Sequence, residues 1–237
     1  MNFLAIFTAR AVFPLAVGPE MINNFLMDNF IAKARENIDN FEFDKVKLWN
    51  DDMPLLETIN MSVDGLDFGK YENLISELKV IAGNQYYYPF EKLHMTLLPY
   101  IKLEYSDKII SAEIDDILLK YKISFEVICA DFRNYSTLQI LAKPSFNLAQ
   151  LRQELRDFIN PKKEDWTLYT NNFEEIGHIN VMRYKEVPSI ELLRKGFEKV
   201  DKNFGVIIPQ KVEIIKLSSR TLAPGKFAVE KTIKLNT

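Results

Sequence analysis

The two halves of this chain carry the same order of strand-like and helix-like patterns, and this repetition restricts the folds available to it. Strand, helix, strand, helix and a strand pair follow one another in the first half, and the second half repeats that order loosely. The chain's only two histidines, His94 and His178, lie 84 positions apart, each on a strand-like segment that precedes a helical pattern. The sequence therefore predicts a duplicated unit with one histidine-bearing strand in each copy.

Apolar spacing, capping residues and turn residues predict the individual elements. A polar stretch at 40–56 has no clear period and is predicted to be a connection. The predicted strands are 58–63, 93–99, 123–131, 137–142, 176–182, 211–217 and 226–235, and the predicted helices are 20–37, 71–81, 106–121, 147–159 and 190–200.

Composition and charge narrow the class of protein. The net charge of −3 argues against a protein that coats duplex DNA through many phosphate contacts. A single cysteine, Cys129, allows no disulfide framework and fits a reducing, cytoplasmic location. The apolar segment Met1 to Gly18 has no basic region before it and is interrupted by Arg10, so we expect neither a signal peptide nor a membrane span. We expect a monomer with no membrane partner.

Each histidine is predicted to share a strand face with a small polar residue. Residues two apart on a strand point to the same side, which pairs His94 with Thr96 and His178 with Asn180. One neutral imidazole could take a proton from water or a ribose hydroxyl while the other, protonated, gives one to the departing oxygen. The Thr96 hydroxyl and the Asn180 amide could donate hydrogen bonds to the phosphate oxygens. This chemistry acts on a phosphodiester and needs no metal.

The motifs His94-Met95-Thr96-Leu97 and His178-Ile179-Asn180-Val181 resemble the paired His-x-Thr/Ser-x signatures of the two-histidine (2H) phosphoesterase superfamily. That superfamily includes 2′-5′ RNA ligase-like proteins and cyclic nucleotide phosphodiesterases. The resemblance covers roughly Leu56 to Thr237 and implies a bilobal α+β fold, with two pseudo-symmetric antiparallel sheets flanking a central cleft and helices on the outer faces. We accordingly expect an N-terminal helical extension at 1–55 and a bilobal domain at 56–237.

The resemblance also implies roles for individual residues. His94 and His178 match the catalytic histidines, and Thr96 matches the phosphate-binding hydroxyl. Asn180 stands where the family usually has Thr or Ser, which keeps a donor but changes its reach. The implied function is a cofactor-free phosphodiesterase that acts on a 2′,3′-cyclic phosphate or a 2′-5′-linked phosphodiester of a nucleotide or RNA end.

Two other interpretations remain open at this point. The same fold could bind a nucleotide or RNA end without processing it, with Asn180 as the mark of that loss. The other interpretation is a metal site built from His94, His178 and an acid such as Glu174 or Glu175. Such a site would lack the close histidine spacing of common zinc motifs.

Aromatic residues near the two motifs are further candidates for binding the substrate. Tyr86 and Tyr88 precede the first motif and could stack a base at the mouth of the cleft. Tyr100 and Tyr184 share strand parity with the histidines and could line the cleft where the strands continue unbroken. Arg183 has the opposite parity, so a surface salt bridge is expected for it unless a bulge intervenes.

Overall fold

The structure of the protein is a computed structural model. It describes residues 42–43, 46–48, 50, 52–134, 137–161, 174–189 and 204–235. The predicted helices at 20–37 and 190–200 lie outside these residues, as does most of the predicted N-terminal extension.

The described residues form nine strands, four α-helices and two short 3₁₀ turns. The 3₁₀ turns are Phe90–Lys92 and Leu103–Tyr105. The strands are β1 Asp52–Met61, β2 Tyr86–Tyr87, β3 Met95–Ile101, β4 Phe125–Asn134, β5 Thr137–Pro144, β6 Gly177–Arg183, β7 Val206–Ile207, β8 Lys211–Ser219 and β9 Phe227–Lys234. The helices are α1 Phe68–Ala82, α2 Ser106–Ile109, α3 Ala112–Leu119 and α4 Leu148–Ile159.

The strands form an antiparallel sheet in which four strands lie on each side of the centre in a matching arrangement. The order is β7-β4-β5-β6-β3-β1-β8-β9, with β2 paired to β6 off this path. Outward from the centre, β3 is followed by β1, β8 and β9, and β6 is followed by β5, β4 and β7. The central strands β3 and β6 join the halves at the pair Met95 and Ile179. The predicted antiparallel α+β fold is confirmed, and its two pseudo-symmetric sheets are the two halves of one continuous sheet.

Equivalent helices precede the two central strands. α1 connects β1 to β3, and α4 connects β5 to β6. Each helix starts at a side-chain cap, since Asp67 accepts from the backbone N–H of Lys70 and Asn147 from that of Gln150, both at 2.9 Å. One buried apolar cluster contains residues of both halves, including Leu74 of α1 and others of α4. The two halves therefore share a core.

Two boundaries differ from the sequence-based prediction. The predicted helix at 106–121 is divided into α2 and α3. At the break, the ammonium group of Lys231 donates to the carbonyls of Ile110 and Ser111 at 3.1 and 2.8 Å. β1 starts at Asp52, within the predicted connection, where pairing with Ser219 of β8 extends it. None of the helices in the described part of the chain is long and apolar enough to cross a membrane.

Candidate active site

The residue pair that joins β3 to β6 determines how the two histidine motifs meet. By the antiparallel register about Met95, His94 lies opposite Asn180, and Thr96 lies opposite His178. These four polar side chains are half-buried, whereas Met95 is fully buried on the other face. The two histidines thus occupy diagonal positions on one face of the sheet, which are about 7–8 Å apart in an antiparallel ladder.

A cleft opens over this face of the sheet. Its volume is about 70 Å³, and residues of both halves line it. His178 is adjacent through its register with Thr96 but does not belong to the lining. The lining residues that bear on the chemistry are His94, Thr96, Asn180, Arg183, Glu57 and Arg220.

His94 is held in one tautomer at the end of the 3₁₀ turn that precedes β3. Its Nδ1 lies 3.0 Å from the carbonyl oxygen of Lys92, and because a carbonyl only accepts, Nδ1 carries the proton. Burial lowers the pKa of His94, Arg183 lowers this pKa further, and the Lys92 hydrogen bond and Glu213 raise it, with a net decrease. The neutral imidazole therefore presents an unprotonated Nε2.

Asn180 is oriented by a neighbouring amide. Gln139 lies directly opposite it on β5, and Gln139 Nε2 donates to Asn180 Oδ1 at 2.9 Å. Because that bond occupies the amide oxygen, the NH₂ group of Asn180 faces the other way as a donor. At the equivalent place in the first half, Asn60 of β1 lies opposite Thr96. Both phosphate-binding candidates therefore have an amide side chain beside them.

A β-bulge in β6 brings Arg183 to the cleft. The partners of Gln139 and Leu138 on β6 are Asn180 and Met182, so Val181 is an extra residue in that strand. The bulge reverses the side-chain alternation beyond Val181, and Arg183 lines the cleft with 9% of its surface exposed. The surface salt bridge expected for Arg183 is therefore wrong.

The buried Tyr88 forms a hydrogen bond with Arg183. Arg183 Nε donates to the hydroxyl of Tyr88 at 2.6 Å, and that hydroxyl donates in turn to the carbonyl of Arg220 at 3.0 Å. Tyr88 is only 2% exposed. One hydroxyl thereby connects the two arginines that line the cleft.

The predicted stacking tyrosines have different locations in the structure. Tyr184 is fully buried, because the bulge turns it into the core, and Tyr88 is buried among protein groups, so stacking of a base on either is wrong. Tyr86 is half-buried and packs edge-on against Tyr88, with ring centroids 5.1 Å apart. Tyr100 lines the cleft and is 43% exposed, which makes it the most exposed of these four tyrosines.

Backbone strain is concentrated at the cleft. Within the described residues, the non-glycine residues with positive φ are Tyr100 at 57° and Leu222 at 51°, and both line the cleft. Such conformations cost free energy and persist where the surrounding structure enforces them, commonly at functional sites. Their coincidence at one cleft supports a functional role for it.

A buried carboxyl group also lines the cleft and was not singled out from the sequence. Glu57 of β1 is 2% exposed and accepts from the Ser106 hydroxyl at 2.8 and 2.9 Å. Burial raises its pKa, an effect that the Ser106 bond and Lys216 oppose. The alternation of β1 is irregular here, so sequence parity alone does not place Glu57 in the cleft.

Arg152 connects the two motif strands from the α4 side. This arginine is 5% exposed and donates to the carbonyls of Thr96 and Leu97 on β3 at 3.2 and 3.1 Å. It also donates to those of Glu174 and Ile176, which precede β6, at 3.0 and 3.2 Å. One guanidinium therefore satisfies backbone acceptors where the central strands separate.

Glu174, one of the acids considered for a metal site, is bound by another side chain. The carboxylate of Glu174 is bound by the guanidinium of Arg156 at 2.7 Å. Among the residues that the structure describes, no group of three or more His, Cys, Asp or Glu side chains is arranged to hold a metal ion. The alternative site with Glu174 has no structural support.

Comparisons with known proteins find similarity to solved structures at low sequence identity. No protein-family model and no curated protein matches the chain. E. coli LigT complexed with ATP has 12% identity and a TM-score of 0.47, over 78% of this chain and all of that one. The protein TT0787 of Thermus thermophilus has 14% identity and a TM-score of 0.49, over 76% of this chain and 97% of that one. A structure described as a phosphoesterase has 13% identity and a TM-score of 0.45, over 78% of this chain and all of that one. These similarities are distant, so a function has to be argued from the residues of this chain.

Proposed function

We propose that the protein is a metal-independent phosphodiesterase of the two-histidine type. The observation that carries this proposal is the β3–β6 register, which brings both histidines and both of their polar partners to one face of the sheet. The duplicated fold gives each histidine an equivalent position about the centre of the sheet. A phosphate group between diagonal positions of this kind is within reach of both imidazoles.

His94 acts as the general base in this mechanism. Its Nδ1–H is held by the Lys92 carbonyl, and its lowered pKa keeps Nε2 unprotonated near neutral pH. Nε2 takes the proton of the attacking water as the water oxygen bonds to phosphorus. His178, in its protonated form, gives a proton to the ester oxygen as the bond from phosphorus to that oxygen breaks. A 2′,3′-cyclic phosphate is opened in this way to a monoester.

Donors around the cleft stabilise the negative charge that develops on the phosphate oxygens. The Thr96 hydroxyl and the NH₂ group of Asn180 supply neutral donors from the two strands, and Arg183 supplies a positive charge. Removing one donor of this kind costs about 10²–10³ in kcat in enzymes that stabilise an oxyanion. The substrate we propose is a 2′,3′-cyclic phosphate or a 2′-5′-linked phosphodiester of a nucleotide or RNA end.

The test is turnover of adenosine 2′,3′-cyclic phosphate and of a 2′-5′-linked diadenylate by the full chain, with and without EDTA. We expect turnover that EDTA leaves unchanged and that His94→Ala and His178→Ala each reduce by at least about 10³. Turnover that survives in either variant contradicts the two-histidine mechanism. Tight binding of these compounds without any product would instead support the non-catalytic binding module.

A further inference from the structure

A second hollow shares His94 and Asn60 with the lining of the cleft. Its volume of about 420 Å³ falls within the ~300–1,000 Å³ range of small-molecule sites. It is formed by the end of β1 with the loop after it, the start of α1, the 3₁₀ turn before His94 and the start of β8. We call it the acidic hollow and define it by Asn60, Asp64, Phe68, Phe90, Glu91 and Glu213, with His94 at its border.

An aromatic pair provides the acidic hollow with an open ring surface. The rings of Phe68 and Phe90 meet edge-on with centroids 4.9 Å apart, and Phe90 also packs against the buried Tyr71 at 5.6 Å. Phe68 is nevertheless 56% exposed. An anchored ring therefore packs against one that is more than half exposed, and base stacking on an exposed ring is a common mode of nucleotide binding.

A buried amide donor points to a ligand at the same place. Asn60 is 3% exposed and lines both the cleft and the acidic hollow. Its Oδ1 accepts from the Thr58 hydroxyl at 3.0 Å, but its Nδ2 has no hydrogen-bond partner among the described residues. Buried donors are nearly always satisfied, so a ligand oxygen between the two cavities would complete this one.

The two cavities that share His94 differ in the balance of their charged groups. Arg183 and Arg220 line the cleft together with one carboxyl group, that of Glu57. The described lining of the hollow has three carboxylates, those of Asp64, Glu91 and Glu213, against the single ammonium of Lys211. A phosphate is therefore favoured in the cleft and disfavoured in the hollow. An uncharged group with N–H donors suits the hollow.

We infer that the acidic hollow binds the nucleoside portion of the substrate, with its base on Phe68, an oxygen of the substrate on Asn60 Nδ2 and no phosphate on that side. This inference builds on the proposed function, because the base in the hollow directs the phosphodiester past His94 into the cleft. The substrate class is thereby a phosphodiester whose nucleoside on the hollow side has a free 5′-hydroxyl.

The experiment compares three substrates in wild type, Phe68→Ala, Asn60→Leu and Phe227→Ala. Phe227 is the matched control, since it is a 40% exposed phenylalanine on β9 outside both cavities. The substrates are adenosine 2′,3′-cyclic phosphate, its 5′-phosphorylated form and ethylene cyclic phosphate, which has no base. We expect Phe68→Ala to raise KM for the first about tenfold, the size of one base–aromatic stack, without changing kcat or the turnover of ethylene cyclic phosphate.

The variant Asn60→Leu distinguishes an effect on substrate binding from an effect on the stability of the fold. It should raise KM for the adenosine substrate while leaving the midpoint of thermal unfolding unchanged or higher, since it removes a buried donor that the free protein does not satisfy. The 5′-phosphorylated substrate should have the higher KM in wild type. Equal effects of Phe68→Ala on all substrates, or a loss of stability in Asn60→Leu with unchanged KM, would overturn the inference.

Binding of adenosine alone, measured by isothermal titration calorimetry, distinguishes failure of this inference from failure of the proposed function. Adenosine lacks a phosphate and so tests the hollow in the absence of turnover. Affinity that Phe68→Ala lowers and Phe227→Ala preserves supports the hollow even in a protein that hydrolyses nothing. Adenosine that does not bind, or binds both variants equally, overturns it.

Discussion

Gln139 donates through Nε2 to Asn180 Oδ1 at 2.9 Å, and this bond directs the NH₂ group of Asn180 away from β5. The two residues lie directly opposite each other on β5 and β6. The amide of Asn180 is therefore held in a single orientation as a donor. The proposed function uses this donor to bind a phosphate oxygen.

Replacing Gln139 should impair phosphate binding without unfolding the protein. In Gln139→Leu the amide of Asn180 loses the bond that orients it, so we expect kcat/KM to fall about tenfold. Steady-state kinetics on adenosine 2′,3′-cyclic phosphate measure this. Gln153→Leu, an exposed glutamine on α4 bonded to Asp157 in the next turn, is the control and should leave kcat/KM unchanged. Equal rates in the two variants would show that the orientation of Asn180 is unimportant.

The chemical nature of the group at Asn180 should matter more than its size. Asn180→Asp replaces the donor with a negative charge beside phosphate and should lower kcat about 100-fold or more. Asn180→Thr supplies a hydroxyl donor and should stay within about tenfold of wild type. The comparison of kcat for the two variants is the measurement, and similar losses in both would argue against a donor role.

The pH dependence of kcat/KM should report the lowered pKa of His94. As a general base His94 must be neutral, so activity is gained as pH rises through its pKa, and this acidic limb should lie below the ordinary histidine value of about 6.5. Glu213 raises the pKa of His94, so Glu213→Gln should move the limb to still lower pH. Glu72→Gln, an exposed residue of α1, serves as the control. A limb that moves to higher pH in Glu213→Gln contradicts the assignment.

Tyr88→Phe should weaken both folding and substrate binding. The variant leaves the buried Nε of Arg183 without the hydroxyl that accepts from it at 2.6 Å, which should lower the free energy of unfolding by about 1–3 kcal/mol. KM should rise because Arg183 is less well fixed in the cleft. Denaturant unfolding and kinetics measure the two effects. Tyr121→Phe, which loses a bond to Glu154 at 2.8 Å, should cost less than about 1 kcal/mol and leave KM unchanged.

A glycine next to His178 has no room for a side chain. A Cβ on Gly177 would come within 2.4 Å of Met95 Sδ and 3.1 Å of a ring carbon of Phe125. Gly177→Ala should therefore lower the free energy of unfolding by about 1–3 kcal/mol and disturb the β3–β6 pairing on which the site depends. Gly69→Ala, where a Cβ meets only Asp67 Oδ1 at 3.4 Å, should be tolerated in the same denaturant measurement.

The sequence predicts the parts of this site that depend on the regular alternation of side chains along a strand. His94 and Thr96 lie on one face because they are two residues apart, and Met95 between them is buried. Arg183 depends instead on the bulge at Val181, which is defined by the partner strand. In the sequence, the sign of that bulge is two consecutive apolar residues, Val181 and Met182. Two consecutive apolar residues also occur in regular strands, so they do not by themselves predict a bulge.

The remaining features of the site arise from contacts between distant segments. The orientation of Asn180 depends on Gln139, 41 positions away, and the link from Arg183 to Tyr88 spans 95 positions. The acidic hollow combines three separate segments of the chain, and neither Phe68 nor Phe90 stands out in the sequence. Such sites are assembled by topology, and a single sequence contains no local pattern that predicts them.

The central claim is that His94 and His178 act together on one phosphate group, and a double-mutant cycle tests it most directly. Activity toward adenosine 2′,3′-cyclic phosphate would be measured in wild type, His94→Gln, His178→Gln and the double variant. We predict that each single change lowers kcat by at least about 10³ and that the second change adds only a few-fold, as for residues that act as a unit. Losses that multiply in the double variant, or a single variant with near-normal kcat, would contradict a joint role for the two histidines.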